Sequence, residues 1–235
     1  MPSFDEAADG LTMPVAQAME TQRAVRRLRT DPVDDDTVLR CIELALRAPT
    51  AGNRQTWEWV VVRDPDVKHQ LARLNRQSWS IYKRLGRRRP HPFSQDKIAE
   101  AVQWQADHFE EVPVVVVACL RGSRPLFPPA ATASYYASIY PSVQNLLLAA
   151  RSLGLGASLT TLPLWSTVLA RRTLGLPRWV TPCAVIPLGW PRGHYGPTTR
   201  RPVGEVVHVD RFGSRPFVNR VPTRHNGAGA LSRTR

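Results

Sequence analysis

A polar turn near residue 50 has the residue types needed to hold a planar polar ligand. Residues 48–57 read Ala-Pro-Thr-Ala-Gly-Asn-Arg-Gln-Thr-Trp and lead into the β-branched run at 60–62. Short side chains let a ligand approach the backbone, and carboxamides both donate and accept hydrogen bonds. The residues predicted to bind such a ligand are Pro49, Thr50, Asn53 and Gln55.

A group of arginines at residues 22–27 could hold a phosphate. The segment reads Gln-Arg-Ala-Val-Arg-Arg, and each guanidinium group offers several donors in one plane. An isolated cluster of this kind is more often a solvated helix face. The pattern of residues 14–27 predicts a helix, with the arginines at its end.

Two adjacent threonines, Thr160 and Thr161, lie in the segment Leu-Thr-Thr-Leu-Pro-Leu at 159–164. Threonines in such a place are ordinarily strand formers. They follow the strongest helical pattern of the chain, in which apolar residues from Ile139 to Leu153 recur at helical spacing.

The elements that must position these residues alternate between helices and strands. Besides 14–27, helices are predicted at 36–48, after Asp64, and at 95–110, 139–154 and 163–174. Strands are predicted at 57–62, 114–117, 183–188 and 206–209, and residues 157–162 are predicted to form a further strand or an extended turn. The polar stretch 76–95 is predicted to be an irregular lid. Because no regular βαβ rhythm appears, the pattern favours an α+β fold.

Length and composition fit one domain with a substantial core. We expect a domain at 14–212, an N-terminal extension at 1–13 and a basic tail at 213–235. No apolar run approaches bilayer length, and the first residues lack a secretory pattern. The three cysteines, Cys41, Cys119 and Cys183, are predicted to be buried thiols, which favours a reducing, cytoplasmic location.

The net charge of +13 raises the alternative of a nucleic-acid-binding protein. Six arginines fall at 211–235, where there is no Asp or Glu, and a second basic cluster lies at 83–89. The excess charge is therefore concentrated in a tail and a loop, which better fits attraction of anionic ligands.

No metal-binding spacing of His or Cys appears, nor a Walker loop or a G-x-S-x-G elbow.

Four segments together resemble the FMN-dependent nitroreductase family. Residues 48–57 match its pattern AP-[ST]-x-x-N-x-Q-x-W. Residues 22–26 match R-R-S-x-R with two departures, Gln22 and Ala24, which remove one cation and one hydroxyl. The run Thr-Thr-Leu-Pro-Leu is similar to T-T-T-P-L in the subgroup that includes iodotyrosine deiodinase, and Arg200 stands at the Arg of R-x-P-L.

The resemblance implies a nitroreductase-like fold, with a mixed or antiparallel sheet flanked by helices and a domain completed by dimerisation. It implies a homodimer with FMN at the subunit interface, each flavin touched by both chains. NADH or NADPH would pass hydride to the flavin N5, and a small electron-poor acceptor would follow. No side chain need be catalytic. The implied cofactor-binding residues are Gln22, Arg23, Ala24, Arg26, Pro49, Thr50, Asn53, Gln55, Thr160, Thr161, Leu162 and Arg200; no metal site is implied.

The acceptor is predicted from the lid. Trp79, Tyr82 and Lys83 make it basic and aromatic, which suits nitroaromatics or quinones. It lacks the acidic cluster expected for binding a halotyrosine. Three alternatives stay open: a flavin-sequestering protein of the same fold, a reaction that consumes the flavin, and the nucleic-acid binder.

Overall fold

The computed structural model describes residues 11–86, 95–122 and 124–219. The chain divides into two compact units at Pro197 and Thr198, and each is described by itself.

The described residues of the first unit form seven α-helices and four strands. The helices are α1 Val15–Thr21, α2 Asp35–Ala45, α3 Pro65–Gly86, α4 Gln95–Asp107, α5 Pro129–Ala137, α6 Tyr140–Ser152 and α7 Thr167–Thr173. The strands are β1 Trp57–Val62, β2 Val114–Arg121, β3 Gly156–Ala157 and β4 Val180–Gly189.

The strands form one sheet in the order β1-β2-β4-β3, and every pairing is antiparallel. Val114–Leu120 of the central strand β2 is fully buried. A strand that is apolar at every position has both faces covered. The run of valines in β2 is therefore what allows the sheet to sit between two layers of helices.

Side chains of β2 alternate between two cores, as the period of two in a strand requires. Val114, Val116 and Ala118 pack with helices α2 and α6 on one face. Val115 and Val117 pack on the other face, with α3. This three-layer arrangement confirms the predicted α+β fold.

Helix starts follow the sequence closely. The carboxylate of Asp34 accepts the Thr37 N–H at 2.7 Å and caps α2. Asp64 accepts the N–H groups of Asp66 and Val67, at 2.8 and 3.0 Å, where α3 begins. Satisfying these otherwise unpaired donors fixes the residue at which each helix begins.

Several predicted elements are corrected. Helix α1 ends at Thr21, so residues 22–27 are extended and not helical. Helix α3 continues to Gly86, so the irregular lid is wrong for 76–86, and 87–94 lie outside the described residues. Residues 206–209 form no strand. The helix α5 was not predicted, because its sequence lacks a clear apolar stripe.

In the second unit a 3-10 turn spans Val203–Glu205. Arg201 pairs with Glu205 at 3.2 Å, and the rings of His208 and Phe212 stack with centroids 4.4 Å apart. Residues 220–235 of the predicted tail lie outside the described residues.

Among the described helices, none has the length and apolarity to cross a bilayer. The three cysteines are free and buried, which confirms that prediction.

Candidate active site

The arginine-bearing segment 22–28 is held as an extended edge against the sheet. Val25 N–H donates to the Ala157 carbonyl at 2.9 Å, and Leu28 forms a bridge with Pro191. The absence of a side chain at Gly156 permits this approach, because an added Cβ would lie 2.7 Å from Leu28 Cδ2 and 2.8 Å from Val25 Cγ1. Backbone pairing therefore directs successive side chains to opposite sides of the segment.

Two cavities open beside this segment, and Arg26 lines both. The first has a volume of about 410 Å³, and the second about 550 Å³. The first is lined by residues 23–27, Ala101, Trp104 and 191–195. The second is lined by Arg26, Trp79, Tyr82, Ile98, Ala99, Val102, Gln105 and 159–162. Both volumes fall in the range of ligand pockets, roughly 300–1,000 Å³.

Arg26 is half-buried, and within the described residues its guanidinium group makes no hydrogen bond or ion pair. Burial lowers its pKa below the ordinary arginine value. A buried cation without a partner is unfavourable unless an anion or another acceptor neutralises it. The surroundings of Arg26 therefore favour the binding of an anion.

The threonine pair forms one wall of the second cavity. Thr160 exchanges two backbone hydrogen bonds of 2.9 Å with Val185 of β4, and its hydroxyl accepts the Leu162 N–H at 3.2 Å. Thr161 lines the same cavity, and no partner within the described residues meets its N–H or its hydroxyl. Thr161 can therefore offer both its N–H and its hydroxyl to a ligand, whereas Thr160 can offer only its hydroxyl, because its N–H donates to the Val185 carbonyl.

The opposite wall is aromatic. Trp79, which is 7% exposed, stacks on Tyr82 with ring centroids 5.7 Å apart. Its indole N–H donates to Gln103 Oε1 at 2.8 Å, and Lys83 Nζ donates to the same oxygen at 2.7 Å. Gln103 therefore holds Trp79 in place, and Lys83 is not one of the residues that line the cavity.

Sequence reasoning missed several residues around the two cavities. Arg192 lies over the Trp104 ring, 5.1 Å from its centroid, and donates to the Leu28 carbonyl at 3.0 Å. Gln105 is buried and donates to Ser158 Oγ at 2.8 Å. These residues carry no local motif, and only the tertiary fold brings them to residues 23–27.

The polar turn has an unusual backbone. Gly52, Asn53 and Gln55 all have positive φ, of 59°, 50° and 48°. The hydroxyl of Thr50 accepts the Gln55 N–H at 3.1 Å, and Gln55 Nε2 donates to Asn53 Oδ1 at 2.9 Å. Such strained and internally bonded turns are over-represented at binding sites.

This turn does not line either cavity at Arg26. Residues 51 and 52 line a third cavity of about 450 Å³, next to Ser138 and Tyr135, and residues 49 and 51–55 are exposed. The structure thus brings Arg23, Ala24, Arg26 and 160–162 together with Trp79 and Tyr82, whereas the turn carrying Pro49, Thr50, Asn53 and Gln55 lies elsewhere.

Two further residues were predicted to bind the cofactor. Gln22 is the residue at which α1 ends, and it lines neither cavity. Arg200 belongs to the second unit, where it donates to the Thr199 carbonyl at 2.9 Å. Across the described part of the chain, no group of His, Cys, Asp or Glu is arranged to hold a metal ion.

Comparison with known proteins places this site in a family. Residues 19–190 match the model of the nitroreductase family. A Methanothermobacter thermautotrophicus protein, provisionally named an NADH dehydrogenase/NAD(P)H nitroreductase, is 26% identical over 186 residues, 78% of this chain and 81% of that protein. Iodotyrosine deiodinase 1 of Rattus norvegicus is 27% identical over 198 residues, 82% of this chain and 68% of that protein.

A solved structure shares the fold. Oxidized iodotyrosine deiodinase bound to FMN and 3-iodo-L-tyrosine superposes with a TM-score of 0.68 at 19% identity, covering 85% of this chain and all of that one. The chain belongs to the nitroreductase family. Family membership supports a flavin-dependent oxidoreductase.

Proposed function

We propose that the protein is an FMN-dependent oxidoreductase that takes hydride from NADH or NADPH and reduces an electron-poor acceptor such as a nitroaromatic or a quinone. The observation that carries the proposal is Arg26, a half-buried cation without a partner in the described structure, shared by two adjacent cavities. One cavity is basic and the other has an aromatic wall.

The residues present fit FMN. Arg23 and Arg26 would neutralise its phosphate, and Thr161 would donate a hydrogen bond to the polar edge of the ring system. Among the described residues no Asp or Glu lines either cavity, so none of them opposes the phosphate. Gln22 and Ala24 replace an arginine and a serine of the family motif, and Arg27 and Arg192 of the first cavity supply further cations.

When bound, FMN would supply the redox chemistry, accepting hydride from the nicotinamide and returning two electrons to the acceptor. The side chains of this protein would bind and orient. Trp79 and Tyr82 would exclude water from one side and stack on a planar acceptor. The anionic or nitro groups of such an acceptor would be attracted by the basic surroundings of Arg26.

The proposal includes a homodimer. The strained turn at 50–55 is largely exposed and lines neither Arg26 cavity of its own chain, which fits a role at the flavin of a second copy. Exposed apolar side chains also lie on the two helices that pack against α6. They are Val15 and Met19 on α1, Leu39 on α2, and Leu46, which directly follows α2.

The proposal is tested on purified protein reconstituted with FMN, by following the visible flavin absorbance before and after anaerobic addition of NADH or NADPH. We expect retained yellow colour that bleaches with the donor. Arg26→Gln should weaken FMN retention by roughly tenfold, since one charged hydrogen-bonding partner is lost. The matched control Arg178→Gln, an exposed arginine away from both cavities, should retain FMN normally.

The outcomes separate the alternatives. Colour that no donor bleaches would support a flavin-sequestering protein, and loss of the colour with oxygen would support flavin breakdown. Iodide release from a halotyrosine would identify dehalogenation. Failure to bind FMN, with salt-sensitive DNA binding that requires residues 213–235, would contradict the proposal in favour of a nucleic-acid binder.

A further inference from the structure

A shallow basic groove lies on the outer side of α3, and no step of the proposed reaction uses it. It has a volume of about 550 Å³ and is lined by Arg73, Arg76, Gln77, Ser80, Ile81, Arg84 and Trp165. The lining residues on α3 recur at helical spacing, so they form one stripe along the helix.

Two of its arginines are available to a ligand. Arg73 and Arg84 are exposed, and within the described chain neither makes an ion pair or a hydrogen bond. Arg76, in contrast, donates to Glu110 Oε1 at 2.8 Å. Among the described residues no Asp or Glu lines the groove, so the charges of Arg73 and Arg84 are uncompensated and attract anions.

The groove also offers a flat aromatic surface. Trp165 is 49% exposed and directly follows the 3-10 turn Leu162–Leu164. An exposed indole beside arginines is suited to stack on a nucleobase while the guanidinium groups hold a phosphate.

The groove and the second cavity are neighbours. Both lie between α3 and the segment 159–165: the cavity uses Trp79, Tyr82 and 159–162, and the groove uses Ser80, Arg84 and Trp165. A dinucleotide with its nicotinamide in the cavity could therefore extend around α3 into the groove.

We propose that this groove binds the adenosine end of the hydride donor, and that the unpaired charges of Arg73 and Arg84, at its two ends, favour NADPH by attracting its ribose 2′-phosphate. The proposal rests on the proposed function. NADH lacks this phosphate and would gain only the stacking on Trp165. The ligand chemistry is a purine nucleoside bearing a phosphate.

The first test is steady-state kinetics with both donors. We expect the double variant Arg73→Gln/Arg84→Gln to raise KM for NADPH by roughly tenfold or more, with kcat and the KM for NADH nearly unchanged. Arg178→Gln, which removes an exposed arginine elsewhere, is the matched control. Equal effects on both donors, or no effect, would overturn the proposal while leaving the flavin chemistry intact.

The second test does not depend on flavin reduction. Calorimetry should show adenosine 2′,5′-bisphosphate binding more tightly than 5′-ADP, with the difference lost in the double variant and binding of both weakened in Trp165→Leu. Adenosine 2′,5′-bisphosphate should compete with NADPH. Binding without competition would mean that the groove takes a free nucleotide and would contradict the donor assignment. A protein that bleaches with neither donor would instead contradict the proposed function.

Discussion

At the scale of single residues, Cys41, Cys119 and Cys183 are held where their charged form is disfavoured. Burial raises the pKa of each thiol to about 12. Since the thiolate is the nucleophile, we expect no reaction with a thiol reagent at neutral pH in the folded protein, and three reactive thiols after unfolding.

The same shifts predict how stability depends on pH. The pKa of the folded thiol lies above the unfolded value of 9.0. The buried, protonated thiol therefore stabilises the folded state fully below pH 9, and this stabilisation is lost as the pH rises towards about 12. Urea unfolding of the wild type and of Cys41→Ala, each at pH 7 and above pH 9, would measure how much the Cys41 thiol adds to the pH dependence of the free energy of unfolding. Rapid labelling of a folded thiol at pH 7 would contradict the assignment.

At the scale of elements, the Asp34 cap is the clearest target. Asp34→Ala should destabilise the protein by about 1 kcal/mol, since the Thr37 N–H loses its acceptor. Burial would raise the Asp34 pKa, but hydrogen bonds from Thr37 outweigh it and lower the pKa. The contribution is therefore present above the ordinary carboxyl range and lost as pH falls through the folded pKa.

Chemical denaturation of Asp34→Ala at neutral pH measures the loss of stability. Asp36→Ala is the control, because Asp36 lies in the first turn of the same helix but caps nothing in the described structure. Asp34→Asn should keep most of the stability, since an amide oxygen also accepts. Equal loss in the Asn and Ala variants would indicate that charge, and not the cap, is responsible.

The sequence could predict the bounds of an element where the residues that fix those bounds are close together in the chain. The start of α2 was predictable because Asp34 and its partner Thr37 are three residues apart. The second half of α3 was not, because polar residues separate Leu71, Asn75 and Trp79, which pack inward at helical spacing. The extended form of residues 22–28 was also hidden, since its partners lie at 157 and 190–192.

The candidate site shows the same limit. Residue types and motif spacing identified Arg26, Thr161 and Trp79 as candidates, and the fold gathers them around one cavity. The sequence could not tell Thr160 from Thr161, because the difference is a backbone bond made by the tertiary fold, in which the Thr160 N–H donates to the Val185 carbonyl. Nor could it find Gln105, which carries no motif.

At the scale of the whole molecule, we expect each active site to combine Arg26 of one copy with the turn at 50–55 of another. Arg26→Gln and Asn53→Ala should each reduce activity strongly. If the two are mixed and allowed to exchange subunits, one site in each heterodimer is intact, so about a quarter of all sites should recover under random association.

Flavin reduction in the mixture measures this recovery, and light scattering checks that both variants form dimers. The double variant Arg26→Gln/Asn53→Ala, mixed with wild type, is the control for subunit exchange, because neither site of that heterodimer is intact and exchange lowers the activity. A mixture with no more activity than its components would mean that both residues serve the same chain's site.

The attachment of Arg26 also has a consequence for how the protein is made. Arg26 leaves the ribosome early, but the backbone of its segment bonds to Ala157, Trp190 and Arg192, which are synthesised much later. A nascent chain therefore has no closed pocket until most of it has emerged. Under the proposed function, loading of FMN would then be a step that follows translation, and the flavin colour of a cell extract would report finished chains and not stalled ones.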